Sequence, residues 1–131
     1  MASQLAVWDD SRSLEEGRKS SSRPVDLVHL SRYTLGEREL EREVLELFCT
    51  QSLIYIERLR SAPSGKDWKD AAHSLKGSAS AIGASRAAAA AASAEALPDD
   101  ASSQARALRL SEVEASVREA EAYIGALLED R

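Results

Sequence analysis

Between Glu37 and Arg60, Leu40, Val44, Leu47, Gln51, Ile54 and Arg58 recur at alternating steps of four and three residues. Only an α-helix puts residues spaced in this way on one side. Phe48, Tyr55 and Leu59 thicken that stripe. The same spacing returns at Trp68, Ala72, Leu75, Ala79 and Ile82, and again at Leu110, Val113, Val117, Ala120, Ile124 and Leu127. No segment competes with the alternating period of a strand.

Breaks in the pattern set the number of helices. "VDLVHLSRYTL", from Val25, reads as a short first helix ending near Gly36. "SAPSG" (Ser61 to Gly65) stops the long second helix with Pro and Gly, and a third starts near Lys66. "SRAAAAAASAEAL" (Ser85 to Leu97) is a fourth: alanine is the best helix former, and a slim alanine helix lets its neighbours approach closely. "PDD" ends it, and the last helix runs from about Ala101. Short turns make successive helices antiparallel. The expected fold is therefore all-α: an antiparallel up-down four-helix bundle with a short additional N-terminal helix.

The bundle is expected over residues 24–131. Residues 1–23 are polar, with a Ser cluster closed by Pro24, and read as a flexible leader. Leu5, Val7 and Trp8 interrupt it and read as an apolar spot in a mobile arm rather than a docked turn. With 44% apolar residues in 131, the chain can build a core. A net charge of −5 argues against a general nucleic-acid binder. A single cysteine, Cys49, excludes an internal disulfide and cysteine-rich zinc modules, and points to a reducing cytoplasm. No apolar run reaches membrane-span length, and "MASQLAVWDD" lacks the form of a signal peptide. A cytoplasmic, stand-alone, monomeric protein is expected.

"AAHSLKGSASAIGAS" (Ala71 to Ser85) holds one of only two histidines. At about 100° per residue, His73 lies roughly 140° from the apolar direction of its helix, toward solvent. Lys69, Lys76 and Ser80 fall on the same outward side, with Lys66 two turns before His73. Gly77 sits one turn beyond, where a side chain would crowd the imidazole. Inside a helix that glycine costs about 1 kcal/mol relative to alanine, and access for a bulky partner would explain it. Imidazole is a nucleophile near neutral pH, and an ammonium one turn away can neutralise phosphoryl oxygens. Metal binding fits poorly beside cations, and no residue is placed by sequence to complete a hydrolytic triad. Phosphoryl acceptance fits best.

His73, Leu75, Lys76, Gly77 and Ser78, followed by Gly83 and Ala84, resemble the signature of histidine-containing phosphotransfer (HPt) domains. The helix start at Asp67–Trp68 and the order of segments over about residues 25 to 130 are similar as well. The resemblance implies a four-helix bundle that carries a phosphoryl group between a sensor or hybrid kinase and the receiver domain of a response regulator. It implies His73 as acceptor, Lys76 as charge support and Gly77 as the residue keeping the approach open. Such a phosphocarrier has no autokinase or ATPase activity, and no Gly-rich nucleotide signature is present. It binds no cofactor; the partner receiver supplies carboxylates and Mg²⁺.

Lys66, Lys69, Ser80 and Gly83 are the further candidates for partner contact. Leu45, Cys49, Ser52 and Ile56 form a second line on the long helix. They read either as an apolar docking patch beside the histidine or as packing against the first helix. Cys49 also reads as a small buried or half-buried apolar residue rather than a reactive thiol, His29 as structural, and Ser78 as a packing residue. The competing function is a non-catalytic helical module that sequesters a receiver without transfer. A metal- or haem-binding bundle would want inward His, Glu or Met, which the stripes lack.

Overall fold

The computed structural model describes residues 23–130, and the leader segment, with Leu5, Val7 and Trp8, lies outside them except for Arg23. Five helices follow one another: α1 (Leu27–Thr34), α2 (Arg38–Arg60), α3 (Gly65–Ala81), α4 (Ser85–Glu95) and α5 (Ser103–Glu129). Side chains start three of them. Asp26 accepts the amide hydrogens of Val28 and His29, Ser64 that of Asp67, and Ser102 that of Ala105. Each satisfies amides that the first helical turn leaves open. α1 stops where Leu35 and Gly36 turn left-handed, at φ 56° and 78°.

Helices α2 to α5 close on themselves: α2 packs on α3, α3 on α4, α4 on α5 and α5 back on α2, while α1 lies against α2. The architecture is the all-helical bundle expected, and among the described residues there is no strand. No helix among them is long and apolar enough to cross a membrane.

Burial follows the expected stripes on α3 and α5. Trp68, Ala72, Leu75, Ala79 and Ile82 are buried, as are Val113, Val117, Ala120 and Ile124. On α2 the expected stripe is wrong by about one residue. Leu40, Leu47 and Ile54 are 38%, 54% and 47% exposed, and the core face is Glu41, Leu45, Phe48, Ser52, Ile56 and Leu59. Both lines keep helical spacing, so spacing does not choose between them. Their polar members do. Gln51 and Arg58 on the first line would be buried without partners, at a cost of about 1–3 kcal/mol each. On the second, the Thr34 hydroxyl lies 3.1 Å from Glu41 Oε2, and Ser52 donates to the Cys49 carbonyl at 3.1 Å.

Three docking candidates fall with that correction. Ser52 and Ile56 are buried in the interior. Cys49 is half-buried on the side of α2 that faces α5; burial, then the charges of Glu121 and Glu46, pushes its thiol pKa up. It is a packing residue and not part of a patch beside His73. Gly83 is corrected as well. Its φ is +73°, and a Cβ there would lie 2.8 Å from Asp26 Cβ. Its carbonyl accepts the Asp26 amide at 3.0 Å, so it clasps the α3–α4 turn to the start of α1. The reason for this glycine is conformation and close approach, not partner contact.

The alanine segment is a packing element. Ala87, Ala91 and Ala94 are buried, with Ala88 and Ala90 packed at the edge. Ala91→Leu should overpack this seam and cost about 1–3 kcal/mol, lowering the melting temperature by several degrees. Ala89→Leu, on the exposed side of the same helix, should change stability by less than about 0.5 kcal/mol. Equal melting temperatures for the two variants would mean that α4 does not pack through its alanines.

Candidate functional site

His73 projects from the middle of α3, its side chain 68% exposed. The residues that approach it come from its own helix and from the end of α4. Glu95, the last residue of α4, directs Oε2 to His73 Nδ1 at 2.9 Å and Oε1 to Lys76 Nζ at 2.8 Å. One carboxylate thus bridges the imidazole and the ammonium one turn beyond it. The Lys76 hydrogen bond is the main cause of a Glu95 pKa below the usual carboxylate value. Partial burial opposes the shift, and His73 adds to it. An ionised carboxylate only accepts hydrogen bonds, so Nδ1 of a neutral His73 carries the ring proton and Nε2 keeps its lone pair.

The remaining candidates on α3 divide. Lys66 stays exposed on the outward side, paired with Asp70 at 2.8 Å. Lys69 is a correction to the sequence expectation. It is half-buried, and Nζ donates to the carbonyls of Glu95 at 2.9 Å and Leu97 at 2.7 Å. An ammonium turned into a helix end is not a free charge for an acidic partner. Gly77 meets nothing: a Cβ there would have no neighbour within 4 Å. Ser80 is exposed and, with Gly77 and Ala81, forms one wall of an open cleft of about 430 Å³. The other wall is His29, Arg32 and Tyr33 of α1. His29 is therefore a surface residue, its ring edge-on to Tyr33 at 6.4 Å, and not the structural residue expected.

Among the described residues no cluster of three or more His, Cys, Asp or Glu could hold a metal ion. An exposed imidazole, oriented by a carboxylate and flanked by an ammonium, sits on a four-helix bundle. The sequence profile of the Hpt domain matches residues 43–129. The chain belongs to the Hpt family. Comparison with curated proteins and with solved structures returned no match. Hpt domains are phosphocarriers of phosphorelays rather than kinases, and they interact with kinases and receiver domains.

Within this Hpt bundle, Glu95 is the residue that sequence reasoning missed. It stands 22 positions from His73, outside any local motif. The available signal was its isolation, as the one acidic residue between Ser85 and Leu97. The α1 wall of the cleft was missed for a similar reason, because only the folded chain sets α1 beside Gly77.

Two outcomes check this geometry. Glu95 has a depressed pKa, so the stability it contributes is present above its unfolded value of 4.5 and is lost as pH falls through the lower folded value. Wild-type protein should lose more stability than Glu95→Gln between pH 6 and pH 3, measured by denaturant melts at each pH. Identical losses would mean that Glu95 is not held ionised by its partners. Gly77→Ala should stabilise the protein by up to about 1 kcal/mol, because the added methyl meets open space. A destabilised variant would place Gly77 in a packed contact.

Proposed function

We propose that His73 is the phosphoryl acceptor of this Hpt domain and exchanges the group with the acyl phosphate of a receiver domain. The observation carrying this reading is the pairing of an exposed imidazole with a carboxylate on Nδ1, which leaves Nε2 as the nucleophile. In the transfer, the Nε2 lone pair attacks phosphorus and an N–P bond forms. The P–O bond to the receiver carboxylate breaks, returning that carboxylate as the leaving group. The ring becomes a phosphoimidazolium that keeps its Nδ1 proton, and Glu95 opposite that proton stabilises the new positive charge. The reverse reaction follows the same steps backwards.

Lys76 has three ammonium protons, of which Glu95 takes one. The others serve the phosphoryl oxygens as charge gathers on them. Gly77 leaves the approach to Nε2 open. No cofactor is needed on this chain; Mg²⁺ and the acidic pocket belong to the receiver. Docking uses the outward side of the bundle. Arg58 borders one groove with Asp70 and Ser74, so in antiparallel α2 Ile54 comes level with the middle of α3 and Leu47 with its end. Together with Tyr33, 65% exposed, these supply a small apolar centre beside a polar rim.

A phosphorylated receiver should label the protein with an acid-labile, base-stable phosphate. His73→Gln should abolish the label at unchanged melting temperature, because the side chain is exposed. Retained receiver binding by that variant would show that docking and transfer are separable. Full labelling of it would remove His73 from the mechanism. Lys76→Ala should slow transfer about tenfold, and Lys76→Arg should recover part of the rate. An alanine variant transferring at the wild-type rate would reduce Lys76 to a surface charge.

A further inference from the structure

Three successive turns on one edge of α3 all bind the same residue of α4. Lys69 Nζ holds the Glu95 backbone carbonyl at 2.9 Å, His73 Nδ1 meets Oε2 at 2.9 Å, and Lys76 Nζ meets Oε1 at 2.8 Å. Lys69 also takes the Leu97 carbonyl at 2.7 Å and has Asp99 Oδ1 at 4.0 Å. Beside it, Trp68 Nε1 donates to the Ala94 carbonyl at 2.7 Å. Adjacent residues of α3 therefore fix the carbonyls of Ala94, Glu95 and Leu97.

Glu95 has reason to need this support. It is a negative charge in the last turn of a helix, where the dipole is also negative, and α4 carries no basic residue there. Left to itself, that turn would fray and its carboxylate would swing away. Lys69 brings a positive charge to the helix end and binds the carbonyls that the end leaves unpaired. Its side chain is only 37% exposed, with its head turned inward against these carbonyls.

We propose that Lys69 is a positioning residue for the reaction at His73. By capping α4 it places the Glu95 carboxylate, which fixes the Nδ1–H tautomer of His73 and leaves Nε2 free. This rests on His73 being the acceptor. Lys69 acts through Glu95 and not as a charge that attracts the partner. The two roles make opposite statements about coupling. Removing Lys69 should matter only while Glu95 is present, whereas a steering charge would act whether or not Glu95 is there.

The experiment uses the ¹⁵N-labelled full chain without a partner, with Lys69→Met, Lys69→Arg, Glu95→Ala and the double variant Lys69→Met/Glu95→Ala. Long-range ¹H–¹⁵N spectra of the His73 ring report the tautomer directly. Wild type should show Nδ1–H. Lys69→Met should move the ring nitrogens toward their positions in Glu95→Ala, and Lys69→Arg should keep the wild-type pattern. Transfer from a phosphorylated receiver should slow roughly three- to tenfold in Lys69→Met, with little further loss when that change is added to Glu95→Ala. If Lys69→Met does not fold, Lys69→Gln, which keeps a donor and loses the charge, is read in the same spectra.

A wild-type tautomer in the folded methionine or glutamine variant overturns the proposal, as do fully additive rate losses. The spectra need no receiver. Failure of wild-type protein to accept phosphate would therefore reject His73 as acceptor separately from the tautomer result.

Discussion

Glu95 reaches His73 and Lys76 because the buried residues of α4 are all alanines. Ala87, Ala91 and Ala94 are all buried along that seam, and the lack of bulk brings the two helices close. A Leu or Phe at those positions would push α4 outward by more than a hydrogen bond can stretch. The loop after α4 is pulled in by the same logic. A Cβ on Gly65 would lie 2.8 Å from Asp99 Cα, so the start of α3 can touch the loop only as glycine. Close packing is the means by which a carboxylate from a second helix is set beside the imidazole.

The geometry gives the two long edges of α3 different work. The edge facing α4, with Lys69, His73 and Lys76, collects the charged groups and ties them to Glu95. The edge facing α2 and α1, with Asp70, Ser74, Gly77 and Ala81, borders shallow grooves with little charge pairing across them. The imidazole projects between the two. From solvent, the approach to the ring has Glu95 and Lys76 on one side and open space over Gly77 on the other. In the transfer proposed above, the tightness of one edge and the emptiness of the other each have a use. A rigid ring behind a crowded approach would not transfer, and an open approach to a freely turning ring would present the wrong nitrogen for part of the time.

Much of this was legible in the chain. The helices, their order and the outward direction of His73 came from period and breaks, which depend on neighbours within about four residues. The motif placed Lys76 and Gly77 for the same reason. What was not legible depends on contacts distant in sequence. Leu45 and Leu47 are equally apolar, and only the positions of α3 and α5 decide that the first is buried and the second exposed. Glu95 looks like an ordinary charge on an alanine helix until α3 lies alongside. Lys69 shares the outward quadrant with His73, yet its four-carbon stem lets the ammonium turn back to the end of α4. Angular position fixes where a Cβ points, and a long side chain can carry its charge elsewhere.

The bundle also solves an electrostatic problem that its composition poses. With 22 acidic and 17 basic residues, the chain bears net negative charge, while a phosphoryl group brings still more. The cations of α3 are each given a partner: Lys66 has Asp70, Lys76 has Glu95, and Lys69 has carbonyls. Lys66 and Lys76 are thus offset by carboxylates, while Lys69 keeps its positive charge at the end of α4, with Asp99 Oδ1 4.0 Å away. Exposed charges such as Lys66 and Asp70 are in any case screened within about 8–10 Å. In the transfer proposed above, Lys76 acts at short range, where a phosphoryl oxygen can take up ammonium protons that Glu95 does not use.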